Sequence, residues 1–476
     1  MPPAFELLDH GPSTYEAAVE IEDNVISQLT YVSKTKNSDK YFRKQRSAIE
    51  GLTAHHLGLD GNSDCIVLSQ HAWIRGTFNV CIPVEVKSGG ASRKTITRCP
   101  IPHKLAEAEY IGTKNCHDIP TSHLFGFGFS GGRHFIHKTH RPFYVRFTHT
   151  VWRHLYALLR YPVLSQYSRS PIAHHLRTGY MIVEFIEPSR GQMLSKTRDE
   201  NREEPSRKGD LFRGMARLII SRVPQPRIGS FRFHADGTIA PINRPLSCSN
   251  MILENDGAPR VLQRSDTYTC TDAFISDLFT SHNNRFLGQP NAVYDERDCR
   301  GQMAVKMLLR ALSHHYLKQE LREGPFILQL TDFHASNIFV NQEWNISCLI
   351  DLEWICCLPV EMLTVPYWLT GRGIDQIKEK HFHEFNKGRE DAMWESKGVW
   401  LWHCLESVNA MYFLLESHLY LRFSSTLSLN AEEIVSQFRC ENSEDVVAKK
   451  FAEKEQYDRD LRSLFDERGA AKASEE

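Results

Sequence analysis

Asp332, Asn337 and Asp351 are the three side chains whose types and spacing could do chemistry. They lie in FILQLTDFHASNIFVNQEWNISCLIDLEW, from Phe326 to Trp354, with Asp332 and Asn337 five residues apart and Asp351 fourteen further on. The stretch reads as a strand, a short polar loop, and a hairpin over Ile338–Ile350 with its turn at Asn341–Asn345. A tight hairpin brings its ends together, so Asp351 returns to the neighbourhood of Asp332 and Asn337. A carboxylate with an amide oxygen is a hard donor set that suits Mg²⁺, which keeps several waters and takes further ligands from phosphates. The remaining carboxylate, Asp332, can orient a hydroxyl or accept its proton. Phosphoryl transfer needs this combination, because its catalysis is mainly positioning and charge neutralisation. Each residue alone reads as an ordinary loop residue making turn hydrogen bonds. The trio around one hairpin points to a nucleotide site.

The elements around it follow from pattern. Ile66–Ser69, Asn79–Val86 and Lys94–Cys99 favour strands, the second with Val80, Ile82, Val84 and Val86 at period two. A helix is expected from about Lys104 to Lys114, short strands around Leu124–Phe129 and Arg133–His137, and a buried strand over Tyr180–Ile186. Beyond that point helices dominate, near 209–220, 297–319 and 400–420, with a second hairpin at Gly229–Ile242. Residues 1–60 read as a peripheral helical extension, with Ser13 and Glu16 as a capping box for a helix through Leu29. Lys34–Arg46 reads as a solvated face or linker, and the charged end of the chain as a docked terminal helix.

The 476 residues are 41% hydrophobic and 24% charged, enough apolar material for a sizeable core. With 57 Lys and Arg against 58 Asp and Glu, the formal net charge is -1, which argues against a protein built to coat nucleic acid or an anionic membrane. The twelve cysteines form no C-x-x-C pair and read as free thiols. The N-terminus lacks a signal-peptide pattern and no apolar run reaches membrane-spanning length. A cytoplasmic protein with neither a nucleic-acid nor a membrane partner is therefore expected, its oligomeric state left open.

These residues resemble the aminoglycoside phosphotransferase-like kinases, in particular a large fungal branch of that superfamily. TDFHASNIFV is similar to its catalytic loop, NQEWNISCLIDLEW to its hairpin and metal-aspartate segment, and PVEMLTVPYWLTG (359–371) to the continuation. LFGFGFSGGRHF (124–135), PRIGSF (226–231), INRPLS (242–247) and QPNAV (289–293) extend the resemblance over roughly residues 64–375. It implies an α+β, protein-kinase-like two-lobed fold: a β-rich N-lobe over 61–186, a larger, mainly helical C-lobe over 187–432, and a charged tail over 433–476. By the same resemblance Asp332 is the catalytic aspartate, and Asn337 and Asp351 hold Mg²⁺. Gly76 and Thr77 form the phosphate-covering turn, and Arg98 contacts the phosphates of ATP with Glu107, or Glu109, as its partner. Glu184, Phe185 and Ile186 form the hinge that bonds adenine. The pattern departs at Leu330, where the family has a histidine, and in a glycine loop reduced to one glycine.

The expected activity is transfer of the γ-phosphate of ATP to a hydroxyl of a small molecule. A protein acceptor is disfavoured because I-D-L-E-W stands where D-F-G and A-P-E would bound an activation segment. The alternative is a catalytically weak or inactive nucleotide-binding scaffold. His137, His140, His149 and His154 invite a zinc reading but lack accompanying ligands and read as structural or surface residues. His334 reads as loop packing, Glu353 as a salt-bridge partner or outer-shell group, Glu361 as structural, and Trp152, Tyr156, Leu158 and Leu159 as amphipathic core.

Overall fold

The computed structural model describes residues 4–8, 11–59, 64–105, 120–197, 207–211, 215, 224–363, 366–370, 372–377, 398–420, 431–439 and 441–475. The chain is mixed α+β. A hairpin, β1 (Ala4–Leu7) and β2 (Gly11–Thr14), leads into α1 (Tyr15–Val19), α2 (Val25–Lys44) and α3 (Arg46–Leu57). The helix expected through Leu29 is interrupted, because two caps compete. Thr14 accepts from the Ala17 amide to open α1, and Asn24 accepts from Ser27 to open α2. Most of Lys34–Arg46 is the second half of α2 rather than a linker, anchored by the buried Phe42.

An eight-stranded antiparallel sheet follows: β3 (Asp64–Val67), β4 (Ile74–Arg75), β5 (Asn79–Ser88), β6 (Ala91–Pro100), β7 (Leu124–Gly128) and β8 (His134–His137), then β10 (Tyr167–Arg169) and β11 (Tyr180–Glu184) after the short β9 (Val163–Leu164). Its order is β10-β8-β7-β11-β6-β5-β3, with β4 on β5. The period-two face of β5 buries Val80, Ile82, Val84 and Val86 with Ile49 and Leu52 of α3. Pro102–Lys104 is a single 3₁₀ turn, and the rest of the helix expected to Lys114 lies outside the described residues. In β7, glycines alternate with phenylalanines for a steric reason. Gly128 faces the Tyr180 ring, and a Cβ on Gly126 would meet the His56 ring and come within 2.6 Å of the Phe135 carbonyl oxygen. Tyr180 Oη in turn bonds His56 Nε2 and His134 Nδ1, each at 2.8 Å.

Between β8 and β9 runs α4 (Phe143–Leu158), none of whose residues is buried. Trp152, Leu158 and Leu159 are therefore exposed rather than core, since α4 turns that side away from the sheet.

The C-terminal part builds the site. β12 (Gln192–Met193) and α5 (Leu194–Thr197) precede the hairpin of β13 (Ser230–Phe233) and β14 (Thr238–Asn243). β15 (Phe326–Leu330) pairs with β18 (Ile355–Pro359), enclosing the hairpin of β16 (Ile338–Val340) and β17 (Ile346–Leu349). Helices Thr271–Gly288, Glu296–Leu312 and Gly398–Glu406 pack around them, with Phe274, Leu308, Phe326, Trp400 and Trp402 at the centre of the largest core. Of the helix expected near 209–220, most lies outside the described residues. The two ends of the chain form one unit: Tyr457, Leu461 and Phe465 of helix Ser443–Glu475 pack on Leu7, Ala18 and Val25, and Tyr457 Oη accepts from the Val25 amide at 3.0 Å.

Several motifs outside the Asp332–Asn337 loop do structural work. Gly229 exchanges backbone hydrogen bonds with Cys357 in β18, Arg244 is buried and ion-paired with Glu254, and Asn291 donates to the backbone oxygens of Ile21, Glu22 and Asp23. None of the ten described cysteines forms a disulfide. Substituting Gly126→Ala overpacks the sheet against His56 and should cost about 1–3 kcal/mol, read from the midpoint of urea unfolding.

Candidate functional site

The pairing of Leu330 with Ile355 fixes where the loop leaves its strand and where the chain returns. Thr331 secures this junction: its amide and hydroxyl both donate to the Trp354 carbonyl at 2.9 Å, and its Oγ1 accepts from the Cys248 amide at 3.1 Å. Within the loop Asn337 Nδ2 donates to the Asp332 carbonyl oxygen at 2.9 Å and lies 3.4 Å from Asp332 Oδ2, which leaves Asn337 Oδ1 as a ligand atom. The Ile350 amide then donates to the Asn337 carbonyl at 3.0 Å, closing the hairpin just before Asp351. The ends of the hairpin thus meet, and the three oxygen-bearing residues lie on adjoining turns.

Asp351 adopts a left-handed conformation, φ 59° and ψ 44°, which aspartate tolerates better than most residues but at a cost. It stays there because it is held from the sheet. Arg98 of β6 pairs with Asp351 Oδ1 through Nη2 and with Glu353 Oε1 through Nε at 2.8 Å, while Asn79 Nδ2 of β5 donates to Glu353 Oε2 at 3.0 Å. Burial opposes the charge on Arg98, but Glu353 and Asp351 together outweigh it and hold the guanidinium above its ordinary pKa. The described partners of Arg98 are therefore Glu353 and Asp351, while Glu107 and Glu109 lie outside the described residues.

Two cavities flank the loop. The larger, about 510 Å³, is walled by Ile96, Met181 and Val183 of the sheet, by Phe185 and Ile186, and by Phe339, with Arg98, Glu184, Lys196, Asp351 and Glu353 as its charged groups. Gly191 allows this wall to close, because a Cβ there would come within 2.9 Å of the Val340 carbonyl oxygen and φ is 155°. The smaller, about 260 Å³, opens beside Asp332 and is lined by Ser247, Cys248, Ser249, Tyr367, Trp368 and Glu406. Asp351 thus faces one cavity and Asp332 the other.

Gly76 and Thr77 are not on either wall. They form an exposed turn closed by the Gly76 amide on the Asn79 carbonyl at 2.9 Å, and Gly76 has no steric need to be glycine, since a Cβ would meet only that oxygen at 3.8 Å. The residue that anchors this turn is Phe78, buried edge-on against Trp354 with ring centroids 4.9 Å apart.

Comparison with protein-family models, with curated proteins and with solved structures finds no match. The chemistry of the site rests on its own residues.

Types and spacing alone give four of those residues no catalytic part. His334 Nε2 donates to Asp332 Oδ1 at 2.8 Å, so it contacts the candidate base instead of only packing the loop. That hydrogen bond, more than the nearby carboxylate charges, raises its pKa despite partial burial. Cys248 sits close to Asp332 and Asp351, and burial first, then both carboxylates, push its thiol up. Asn79 holds Glu353 from the sheet, and burial pushes the Glu406 carboxyl up to about 7. Only His334 left a sequence signal, its place two residues after Asp332. Glu361 is structural, accepting from the Lys318 amide at 3.1 Å. Among the described residues no group of three or more His, Cys, Asp and Glu is placed to hold a metal ion.

Removing Glu353 strips Arg98 of one buried partner. Glu353→Ala should cost about 3 kcal/mol, the scale for breaking a buried ion pair, measured by chemical denaturation. Glu406 carries a pH signature. Its unfolded carboxyl ionises near 4.5 while the folded one keeps its proton to about 7, so its contribution to stability is lost as pH rises through that window. Glu406→Gln should leave stability unchanged at about pH 4 and raise it at about pH 8, compared by urea unfolding at both values.

Proposed function

We propose that this chain is an ATP- and Mg²⁺-dependent phosphotransferase acting on a hydroxyl of a small molecule, with the two-lobed arrangement of the aminoglycoside phosphotransferase-like kinases. The observation that carries the reading is the loop lying between two cavities, with Asp351 and Arg98 facing the larger and Asp332 the smaller. A largely apolar cavity of about 510 Å³ with Arg98 and Glu353 gathered at Asp351 suits a nucleotide. Glu184, Phe185 and Ile186 border it where adenine would meet backbone.

Asp332 orients the acceptor hydroxyl and takes its proton as the oxygen attacks the γ-phosphorus. The bond from that phosphorus to the β–γ bridging oxygen breaks, and ADP leaves. Asn337 and the His334 contact hold Asp332 in place for this step. Asn337 Oδ1 and Asp351 fit Mg²⁺ as hard oxygen donors; when bound it would neutralise charge on the β- and γ-phosphates. Arg98 would exchange its contact with Asp351 for a phosphate oxygen, with Glu353 as its fixed partner.

A second reading is a nucleotide-binding scaffold without turnover. The Arg98–Asp351 pair favours it, because it occupies an oxygen that the metal would use.

Thermal unfolding with ATP and Mg²⁺, with ATP and EDTA, and without ligand tests nucleotide binding. At 100 times its dissociation constant a ligand adds about 2.7 kcal/mol. The expected result is a shift that needs Mg²⁺ and disappears in Asp351→Asn, which keeps the left-handed turn. No shift at millimolar ATP defeats both readings. A screen of hydroxylated acceptors for ADP release then separates them. Turnover lost in Asp332→Asn with the Mg²⁺-dependent shift retained supports the enzyme, and a shift with no turnover for any acceptor leaves the scaffold.

A further inference from the structure

Helix α4 is built the wrong way round for a helix that packs on its own protein. Phe143, Phe147, Val151, Leu155 and Leu158 repeat at spacings of four and three and form one face. That face points to solvent: Phe143 is 79% exposed, Phe147 62%, Leu158 78%, and Trp152 beside it 57%. The residues that lean on the body are Val145, His149, Arg153 and Tyr156, half-buried and on the opposite side. Tyr161 and Val163, also exposed, continue the apolar surface beyond the helix.

The segment of chain that carries this face has charge of one sign. Between Asp118 and Glu184 the chain carries seven arginines and one lysine and no carboxylate at all. Arg146 and Arg160 are exposed on or next to α4, with Arg153 at its flank. The near-neutral total of the whole chain conceals this segment. A helix about 24 Å long, aromatic on one side and edged by arginine, matches what lies in the plane of a lipid headgroup layer. Trp152, Tyr144 and Tyr161 supply the amphipathic rings enriched at that depth. Among the described residues no helix is long and apolar enough to cross a membrane, so the surface would rest on the bilayer without spanning it. None of the residues of α4 lines either cavity beside the catalytic loop.

We propose that the exposed face of α4, with its arginine rim, docks this protein onto an anionic lipid surface. The apolar side chains enter the headgroup boundary and the arginines neutralise lipid phosphates and carboxylates. The same charge that excludes cationic partners selects an anionic one, and a bilayer can accept a convex helix that offers no groove.

The test is sedimentation of the full chain with vesicles of phosphatidylcholine alone and with vesicles containing about 30% phosphatidylserine. The expected result is binding to the anionic vesicles only, with release when NaCl rises from about 0.1 M to about 0.5 M. Phe147→Asp with Leu158→Asp should abolish binding while leaving the thermal unfolding temperature unchanged, because both positions are exposed. Arg146→Gln and Arg160→Gln should each weaken binding about fivefold. Failure to bind anionic vesicles, or binding that the Phe147/Leu158 variant retains, overturns the proposal. A dimer in light scattering that the same variant converts to monomer also overturns it, since a second copy then covers the face.

Discussion

The structure turns on one buried guanidinium. Arg98 reaches from the sheet to two carboxylates on a single turn of the C-terminal part, Asp351 and Glu353. Two carboxylates that close would repel each other in a poorly solvated turn, and an unpaired Arg98 would be costlier still. Together they satisfy the charge balance, and Asn79 fixes the remaining Glu353 oxygen from the adjoining strand. The sheet and the turn therefore form one rigid junction. It also explains how Asp351 keeps a left-handed backbone, which persists only when surroundings over-determine it. The hairpin fixes it from one side, β18 from the other, and Arg98 from across.

The same junction sets the chemistry available. A carboxylate engaged by Arg98 is held in place without being buried beyond reach, because Asp351 still borders the larger cavity. In the proposed reaction Arg98 can pass between carboxylate and phosphate without losing its charge balance, since Glu353 stays with it. Arginine suits this better than lysine, because its planar fork can bond two anions at once. On the opposite side Asp332 is pinned by Asn337 and touched by His334, so its orientation is set by its own loop rather than by the sheet.

What could be read from the sequence follows from how local each feature is. The meeting of Asp332, Asn337 and the approach to Asp351 depends on one hairpin within thirty residues, and the turn residues at Asn341–Asn345 declare it. The strands over Asn79–Val86 and Lys94–Cys99 were legible for the same reason, from period-two apolar residues around Gly89-Gly90. The partners of Arg98 were not, since Glu353 lies more than 250 residues away and no local pattern links them. The two cavities are properties of packing between distant segments, and the raised carboxyl of Glu406 comes only from burial there. Motifs such as INRPLS and QPNAV stand out as strings, yet within them Arg244 and Asn291 tie distant segments of the chain together, and only Ser247 borders the smaller cavity beside Asp332. Conspicuous spelling and chemical role are separate matters.

Helix α4 shows the limit of periodicity most clearly. Its apolar repeat has the same form as that of α3, where Ile49, Leu52 and His56 are buried against the sheet. The pattern states that a helix has an apolar side; it does not state which way that side faces. In α3 burial decides, because the sheet offers an apolar surface of matching period. In α4 the half-buried side is the one carrying His149 and Arg153, and the phenylalanines are left in water. Exposed apolar surface forgoes about 25 cal/mol for each Å² that could have been buried, so rotating the helix would recover stability if packing were its only role. That loss, within a segment stripped of every carboxylate, is what the proposed contact with an anionic lipid surface would offset.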